Sequence, residues 1–411
     1  MKILVSSINF YPDHSGIALY STDLPVFFAE HNHDVTVVTG FPYYPYWKKR
    51  TEHKGKLFGR EEYKGVEVLR GYLYVPENAS TFRRMLHEAS FTVFAFLNFL
   101  RAGRSECIVI ISPPLLLGLV GIVFKYLWRS QLVLHIQDLQ PDAALSLGMV
   151  RRKFLVQLLL KLETLVYKHV SWIATIASSM RGKLIHKGVP EEKLALYPNW
   201  IDLAEVSEHR RLNPQGRFLS KYPFTQGKFT IAYAGNIGVK QGVEILVRLA
   251  EAAQAHEDIH FFVIGEGSRR AQLEAHANDK ALSNINFLPF LSQEHYFEML
   301  QDIDVSFVSQ RPGAGDVFFP SKLLGIMAMG KPLLVAAELE TELSDVISTV
   351  ECGLVSAPDD LDSLFGNLLS LYEDQNLRKR LAQNGYQQVK SYDRNQVLSA
   401  FLDRISQWRP S

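Results

Sequence analysis

Two lysines in the second half of the chain stand where a strand-like run gives way to a helical one. In DVFFPSKLLGIMAMGKP (316–332), Ser321 is a good N-cap, and Gly330 with Pro332 behind it stops the helix. The first turn, however, carries Lys322 and no carboxylate. A cation there opposes the helix dipole, which makes sense if an anion, most simply a phosphate, binds at that end. In FTIAYAGNIGVKQGVEILVRLAEAA (229–253), a strand ends at Gly235 and a helix begins near Val243. Gly235, Gly238 and Gly242 let the backbone bend and approach a ligand closely, and Lys240 adds a point charge suited to phosphate. The spacing matches neither a P-loop nor G-x-G-x-x-G, and alone it reads more simply as a tight strand-to-helix loop. Two lysine-bearing junctions in one domain point to a diphosphate.

Other residues could complete such a site. Gly265-Glu266-Gly267, after the run HFFVI, could let a base or a ribose lie near the backbone, or be only a turn. Asp316 could bind ribose hydroxyls or cap its own loop. In the first half, Gly16 separates the first strand from a helix and allows close approach of a phosphate or sugar, although loop geometry alone explains it. VLHIQDLQPDAA (133–144) sets His135, Asp138 and Asp142 at a strand end, a structural trio or a site. Asp302-Ile303-Asp304 spells D-x-D, but short acidic triplets arise by chance and no His/Asp cluster has metal spacing, so no metal site is expected.

The elements that must position these groups follow from periodicity. KILVSSI, DVTVVTG, CIVIIS, QLVLHIQD, WIATIA and LALYPN are strand-like runs separated by helical patterns. Such alternation builds parallel sheets from βαβ units, with ligands beyond the C-terminal strand ends. After the polar stretch 207–228 the pattern restarts with FTIAYAG, HFFVIGEG, INFLPF, VSFVSQ and PLLVAA. The expected domains are 1–200 and 201–385. The segment 377–405 reads as helical throughout, and 386–411 is expected to return to the first domain.

Composition narrows the classes. The 411 residues are 47% hydrophobic and 21% charged, as in a folded domain protein. Residues 1–200 carry 24 basic against 16 acidic side chains; the rest carry 20 against 27. The basic half suggests an anionic partner or membrane surface there. Two distant cysteines, Cys107 and Cys352, fit buried thiols in a reducing cytosol. MKILVSSINFYP is too short in its apolar run for a signal peptide, and Pro113-Pro114 divides the most apolar stretch, 107–124, into strand, break and helix. The aromatic and basic loop 41–60 and the apolar segment RRMLHEASFTVFAFLNFLR (83–101) could rest on a membrane or hold a lipid-phosphate acceptor; core packing is the alternative for the helix. Nucleic acid is not expected, since the charge excess is modest and no recognition motif occurs.

Together these motifs resemble the retaining glycosyltransferases of family 4. The resemblance runs nearly end to end: the Gly16 loop, FPYYP, LHIQD, YPNWID (197–202), GNIGVKQG, VIGEG and PSKLLGIMAMGKP. It is similar above all to colanic-acid-type enzymes that build bacterial exopolysaccharide on a lipid carrier. The implied fold is α/β of the GT-B type, two Rossmann-like doubly wound parallel-sheet domains facing across a cleft. The implied activity is metal-independent transfer of a hexosyl or deoxyhexosyl group from a UDP- or GDP-sugar, without a cofactor, to a lipid-linked or polysaccharide acceptor. The acceptor class is a polyprenyl diphosphate glycan, and the expected location is the cytoplasm, at the inner face of the cell membrane. The epimerase variant of the same architecture and a silent nucleotide-sugar-binding subunit are the competing readings.

By the same resemblance, Gly16, Gly235, Asn236, Lys240, Ser321, Lys322 and Leu323 would hold the donor diphosphate. Gly265, Glu266, Phe290 and Asp316 would hold the nucleoside. Lys240 and Lys322 would stabilise the leaving group, while Asp138 or His135 would orient acceptor or sugar. The chain departs from the family at five places. Val317 and Gly325 stand where two glutamates are usual, Asn236 where an arginine is usual, Gln137 where the acceptor domain often has a histidine, with His135 two residues upstream, and Trp200 where the boundary motif has glycine.

Overall fold

The computed structural model describes residues 1–408 except 14–15, 45, 78–79, 141, 143–152, 214–215 and 314–321. The chain divides into two units, Met1–Asn199 with Gln396–Ser411, and Trp200–Asn395.

The first unit is built on β1 (Lys2–Ser6), β2 (Asp34–Gly40), β3 (Phe58–Tyr63), β4 (Val66–Gly71), β5 (Cys107–Ser112), β6 (Gln131–Ile136), β7 (Trp172–Thr175) and β8 (Leu194–Leu196). Their order is β3-β4-β2-β1-β5-β6-β7-β8, and every neighbour pair is parallel except β3 with β4. Central strands such as CIVIIS are buried at every residue, as a sheet covered on both faces requires. The covering helices are α1 (Ile17–Glu30), α2 (Thr81–Ala102), α3 (Leu117–Trp128), α4 (Lys153–His169) and α5 (Ser178–His186). Phe91, Phe99, Phe124 and Val166 from three of them join one apolar core with the sheet. The β3–β4 hairpin was not legible in the sequence. FGREEY is charged and largely exposed, an edge strand, and it turns through Lys64-Gly65, both at positive φ, the geometry that two-residue hairpins favour.

The second unit begins with α6 (Leu203–Leu212) and carries β9 (Phe229–Ala234), α7 (Glu244–Ala252), β10 (Ile259–Ile264), α8 (Arg270–Asp279), β11 (Ile285–Leu288), α9 (Gln293–Asp302), β12 (Val305–Ser309), α10 (Lys322–Ala328), β13 (Leu333–Ala336), α11 (Glu342–Val350), β14 (Gly353–Ser356), α12 (Leu361–Glu373) and α13 (Gln375–Val389). The all-parallel sheet runs β11-β10-β9-β12-β13-β14. The chain builds outward from β9 to β11, then returns to lay β12 on β9's other side. Such a reversal opens a crevice at the C-terminal ends of the two strands.

The segment 377–405 is not one helix. It breaks at residues 390–393, because the backbone there pairs with Ile201: Ile201 N donates to Tyr392 O (3.0 Å) and Arg394 N to Ile201 O (2.9 Å). After the break α14 (Arg394–Ser406) starts, and from Gln396 it belongs to the first unit, where Phe401 packs on Phe28 and Trp172.

Candidate functional site

The crevice between β9 and β12 gathers both lysine-bearing junctions. Beyond β9 the chain turns at Gly235, with φ of 151°, a conformation that L side chains rarely adopt. The ammonium of Lys322 fills the space beside it: a Cβ on Gly235 would lie 1.2 Å from Lys322 Nζ. That ammonium also sits 4.7 Å from the Tyr233 ring centroid. Tyr233 in turn donates its hydroxyl to Asn236 O at 2.6 Å, which braces the loop. Burial pushes the Lys322 pKa down from 10.5 to about 7. A cation held at that cost is poised for an anion that would restore its charge.

Lys240 lies in the short turn Val239–Gln241 on the same loop. Its carbonyl accepts from Arg311 N (2.9 Å), and Gln241 O accepts from Ser309 Oγ (2.7 Å). These bonds tie the loop after β9 to the end of β12, so both lysines border the same strand ends. Asn236, exposed on that loop, donates from Nδ2 to Gln241 Oε1 at 3.3 Å. Leu323 buries its side chain in the core, so only its backbone is available to a ligand. Asp316, Val317 and Ser321 lie outside the described residues.

The glycines after β10 prove to serve loop-on-loop packing. A Cβ on Gly265 would fall 1.7 Å from Gly235 O, and one on Gly267 would fall 2.2 Å from Ile237 O. Gly235 N donates to Ile264 O and Ile237 N to Glu266 O, so the two loops form one platform. Glu266 is half-exposed and pairs with Arg270 Nη1 at 2.7 Å, and the same guanidinium holds Gly265 O and Leu288 O. Phe290, partly buried, follows β11 two residues beyond Leu288, whose carbonyl accepts from Gly265 N. The loop that carries Gly265 and Glu266 is thus bonded to the end of β11, two residues before Phe290. At Gly325, where the resemblance led to a glutamate, the Tyr296 ring lies 3.5 Å from where a Cβ would stand.

In the first unit, Gly16 is exposed at the start of α1, with φ of 61°. Asp138 lies in the bend after β6, partly buried. His135, expected as an alternative to Asp138 for orienting acceptor or sugar, does not reach the surface. Its side chain is wholly buried in β6, its ring lies 5.6 Å from Phe401, and its Nε2 accepts from Gln137 Nε2 at 3.2 Å. Burial holds its pKa down at about 4, so it stays neutral. Asp142 is likewise structural, paired with Lys187, which also binds the buried Glu163. The D-x-D carboxylates are spent on the backbone. Asp302 accepts from Gly216 N, Phe218 N and Leu219 N, and Asp304 from Thr230 N and Oγ1. Among the described residues no group of metal-ligating side chains is assembled.

Sequence reasoning missed Tyr233 and Arg270. Tyr233 reads as one more β-former in a strand, and Arg270 as a solvated helix residue; only the folded loops show what each supports.

Residues 215–388 match the glycosyl transferases group 1 family, and residues 15–200 match the glycosyl transferase 4-like domain. An Escherichia coli (strain K12) protein named for colanic acid biosynthesis, the glycosyl transferase WcaI, is 31% identical over 98% of this chain and 100% of its own length. Among solved structures, Escherichia coli trehalose-6-phosphate synthase bound with UDP-2-fluoro glucose superposes with a TM-score of 0.76 at 11% identity, over 100% of both chains. Anabaena HepE in complex with UDP gives 0.72 at 13%, over 99% of this chain and 100% of its own. WaaG, a lipopolysaccharide glycosyltransferase, gives 0.67 at 15%, again over 99% and 100%. At these identities the solved structures establish a shared fold.

Proposed function

The chain belongs to the group 1 glycosyl transferases, and on that premise we propose that it moves a sugar from a UDP- or GDP-sugar to a lipid-linked or polysaccharide acceptor in surface-glycan synthesis. The observation that carries this reading is the Lys322 ammonium seated in the notch at Gly235, beside the Lys240 loop. The difficult charge in such a transfer develops on the departing diphosphate. Fixed cations and N–H groups in a partly dry crevice stabilise it without reorganising. Lys322 and Lys240 take that role, joined by Ser321, Asn236 and the backbone at Leu323. Gly265, Glu266, Phe290 and Asp316 receive the nucleoside. The reaction proceeds without a metal, a reading supported by the engagement of both D-x-D carboxylates with backbone donors. Attack comes from the face that the diphosphate leaves, with retention, and the departing phosphate oxygen takes the acceptor proton. Asp138 orients the acceptor.

A lipid-bound acceptor fits the surface of the first unit. Phe82, Leu86, Val93, Leu97 and Leu100 form an exposed stripe along α2, the spacing of one helical face. Tyr126 and Leu127 on α3, and Phe154, Leu158 and Leu165 on α4, extend it. Arg83, Arg84 and Arg101 on α2, Arg104 just beyond it, and Lys161 and Lys168 on α4 are exposed as well. Exposed apolar residues together with cations on the same helices suit the face of an anionic bilayer. Among the described residues no helix is long and apolar enough to cross a membrane.

The test is a thermal-shift screen of UDP, GDP and their sugars. A nucleotide at about a hundredfold its dissociation constant should stabilise the fold by roughly 3 kcal/mol. Lys240→Ala and Lys322→Ala should each lose that shift and turnover while staying folded. Folded variants with full turnover would reject the assignment.

A further inference from the structure

A second group of cations lies at the other end of the sheet in the second unit. β12 begins at Val305 and β13 at Leu333, in an all-parallel sheet, so the residues just before them share one edge. That edge is opposite the strand ends that hold Lys322 and Gly235. A cavity of about 600 Å³ opens there, a size that suits a small-molecule ligand. Four segments of this unit line it: the turn at 216–219, the end of α9 with the residues before β12, the turn before β13, and the first two turns of α13.

Most of its polar groups are donors with capacity left. Arg378 directs Nη1 to Leu371 O and to Tyr372 O (2.9 Å), with its guanidinium 5.0 Å from the Phe229 ring centroid, so the fork is held while Nε and Nη2 remain for a ligand. Lys379, next on the same helix, is exposed. Lys331 donates to Gln301 O (2.9 Å) and Ile303 O (2.7 Å), which fixes its ammonium at the end of α9 and leaves one of three N–H groups. Burial pushes its pKa down from 10.5 to about 8, although Asp304 and Asp302 pull the other way. An anion beside it would offset that penalty. The two carboxylates in the lining differ. Asp302 engages both oxygens with backbone N–H groups, whereas Asp304 holds Thr230 through Oδ2 and keeps Oδ1 as an acceptor.

This chemistry narrows the ligand. Three cations against two carboxylates oppose a metal ion or an amine. A neutral sugar would leave the donors of Arg378 and Lys379 unused. A bare inorganic anion would fill only part of the volume and leave Leu219, Pro332 and Ala382, the apolar part of the wall, uncovered. We propose that this cavity binds a phosphomonoester of a small hydroxylated compound, such as a sugar phosphate. Its phosphate lies on Arg378, Lys379 and Lys331, the pairing that guanidinium and ammonium groups favour, and a hydroxyl donates to Asp304 Oδ1. The site is separate from the strand ends that carry Lys240 and Lys322, so it fills together with a nucleotide there, and it does not rest on the transferase reading.

Titration calorimetry of the full chain with glucose phosphate, mannose phosphate and glycerol phosphate tests it, with and without saturating UDP, and with melting curves as the control for folding. At least one ester should bind, and UDP should not displace it. Inorganic phosphate should bind more weakly, and methyl glucoside should give no heat. Arg378→Gln and Lys379→Glu should each weaken the ester roughly tenfold or more, as expected for a lost hydrogen bond to a charged group. Lys379 is exposed, so its variant keeps the test sound if loss of the Arg378 carbonyl contacts unfolds the other. Failure of all three esters to bind, displacement by UDP, wild-type affinity in folded Lys379→Glu, or inorganic phosphate binding as tightly as the esters each overturns the proposal. Ester binding lost in the variants, in a protein that binds neither UDP nor GDP, leaves this site standing and removes the transferase reading instead.

Discussion

The ammonium of Lys322 occupies the volume that a side chain on Gly235 would need, 1.2 Å from the position of its Cβ. A glycine at the end of one strand and a lysine that opens the helix after another are therefore a single device. Gly235→Ala should expel the lysine and weaken UDP or GDP binding about as much as Lys322→Ala. In titration calorimetry the double variant should bind no worse than either single one, the signature of residues acting as a unit. Independent, additive losses would contradict the shared role.

Nucleotide binding should depend on pH through Lys322. In the ligand-free protein its pKa is about 7, against 10.5 for an unperturbed lysine. A bound diphosphate raises it again, so above pH 7 binding takes up a proton. Affinity should fall by up to about tenfold per pH unit from pH 7 upward, and calorimetry in buffers of different ionisation enthalpy should report the proton. Lys322→Met should bind weakly with a flat profile. Between about 7 and 10.5 the unfolded chain holds more protons than the native one. Ligand-free stability should therefore rise with pH in that window in the wild type and not in Lys322→Met.

His135 makes the opposite kind of contribution. Its native pKa of about 4 lies below the unperturbed 6.5, so as pH falls from 6.5 towards 4 the unfolded chain gains a proton that the native state refuses. That should cost on the order of 3 kcal/mol across the window, at about 1.4 kcal/mol per unit. Urea unfolding of His135→Leu should show a flatter acid limb, and its turnover per folded molecule should match the wild type, because the ring is wholly buried.

Asp302 separates a structural carboxylate from a metal ligand. It accepts from three backbone N–H groups, at 2.6, 2.7 and 3.0 Å. Asp302→Ala should destabilise the protein by about 2–3 kcal/mol, the range for hydrogen bonds to a charged group. Its turnover at a permissive temperature should stay as insensitive to chelator as that of the wild type.

The apolar stripe of α2, α3 and α4 predicts vesicle binding. Leu97→Glu with Leu127→Glu should reduce co-sedimentation with phosphatidylglycerol vesicles by roughly tenfold or more, since each buried leucine is worth about 1.5–3 kcal/mol. The melting temperature should hold, because both side chains are exposed. Neutral phosphatidylcholine vesicles should bind the wild type less well, and added salt should weaken the anionic case.

The sequence by itself determined much of this protein. Alternating runs of Val, Ile and Leu with amphipathic helices announce parallel sheets, because only strands covered on both faces tolerate such apolar continuity. The polar stretch 207–228 marks the restart, and Gly235, Lys240 and Lys322 stand out as a local misfit between residue type and position. What stayed illegible was of two kinds. Charged edge strands such as β3 carry no apolar signature, because one face and one edge meet water. Residues judged by type alone, His135 and the D-x-D pair, looked chemical until burial and backbone donors claimed them.

Only the tertiary structure decided which side chains meet. Lys322 reaches Gly235 because β12 returns to pair with β9, Val305 against Ile231, although 74 residues separate the two. Glu88, Gln140 and His87 converge because parallel strands end on a common edge, whatever their distance along the chain. Periodicity reports the face that each element buries, a local property. Strand order is set by how those faces pack together, and no window of sequence contains it.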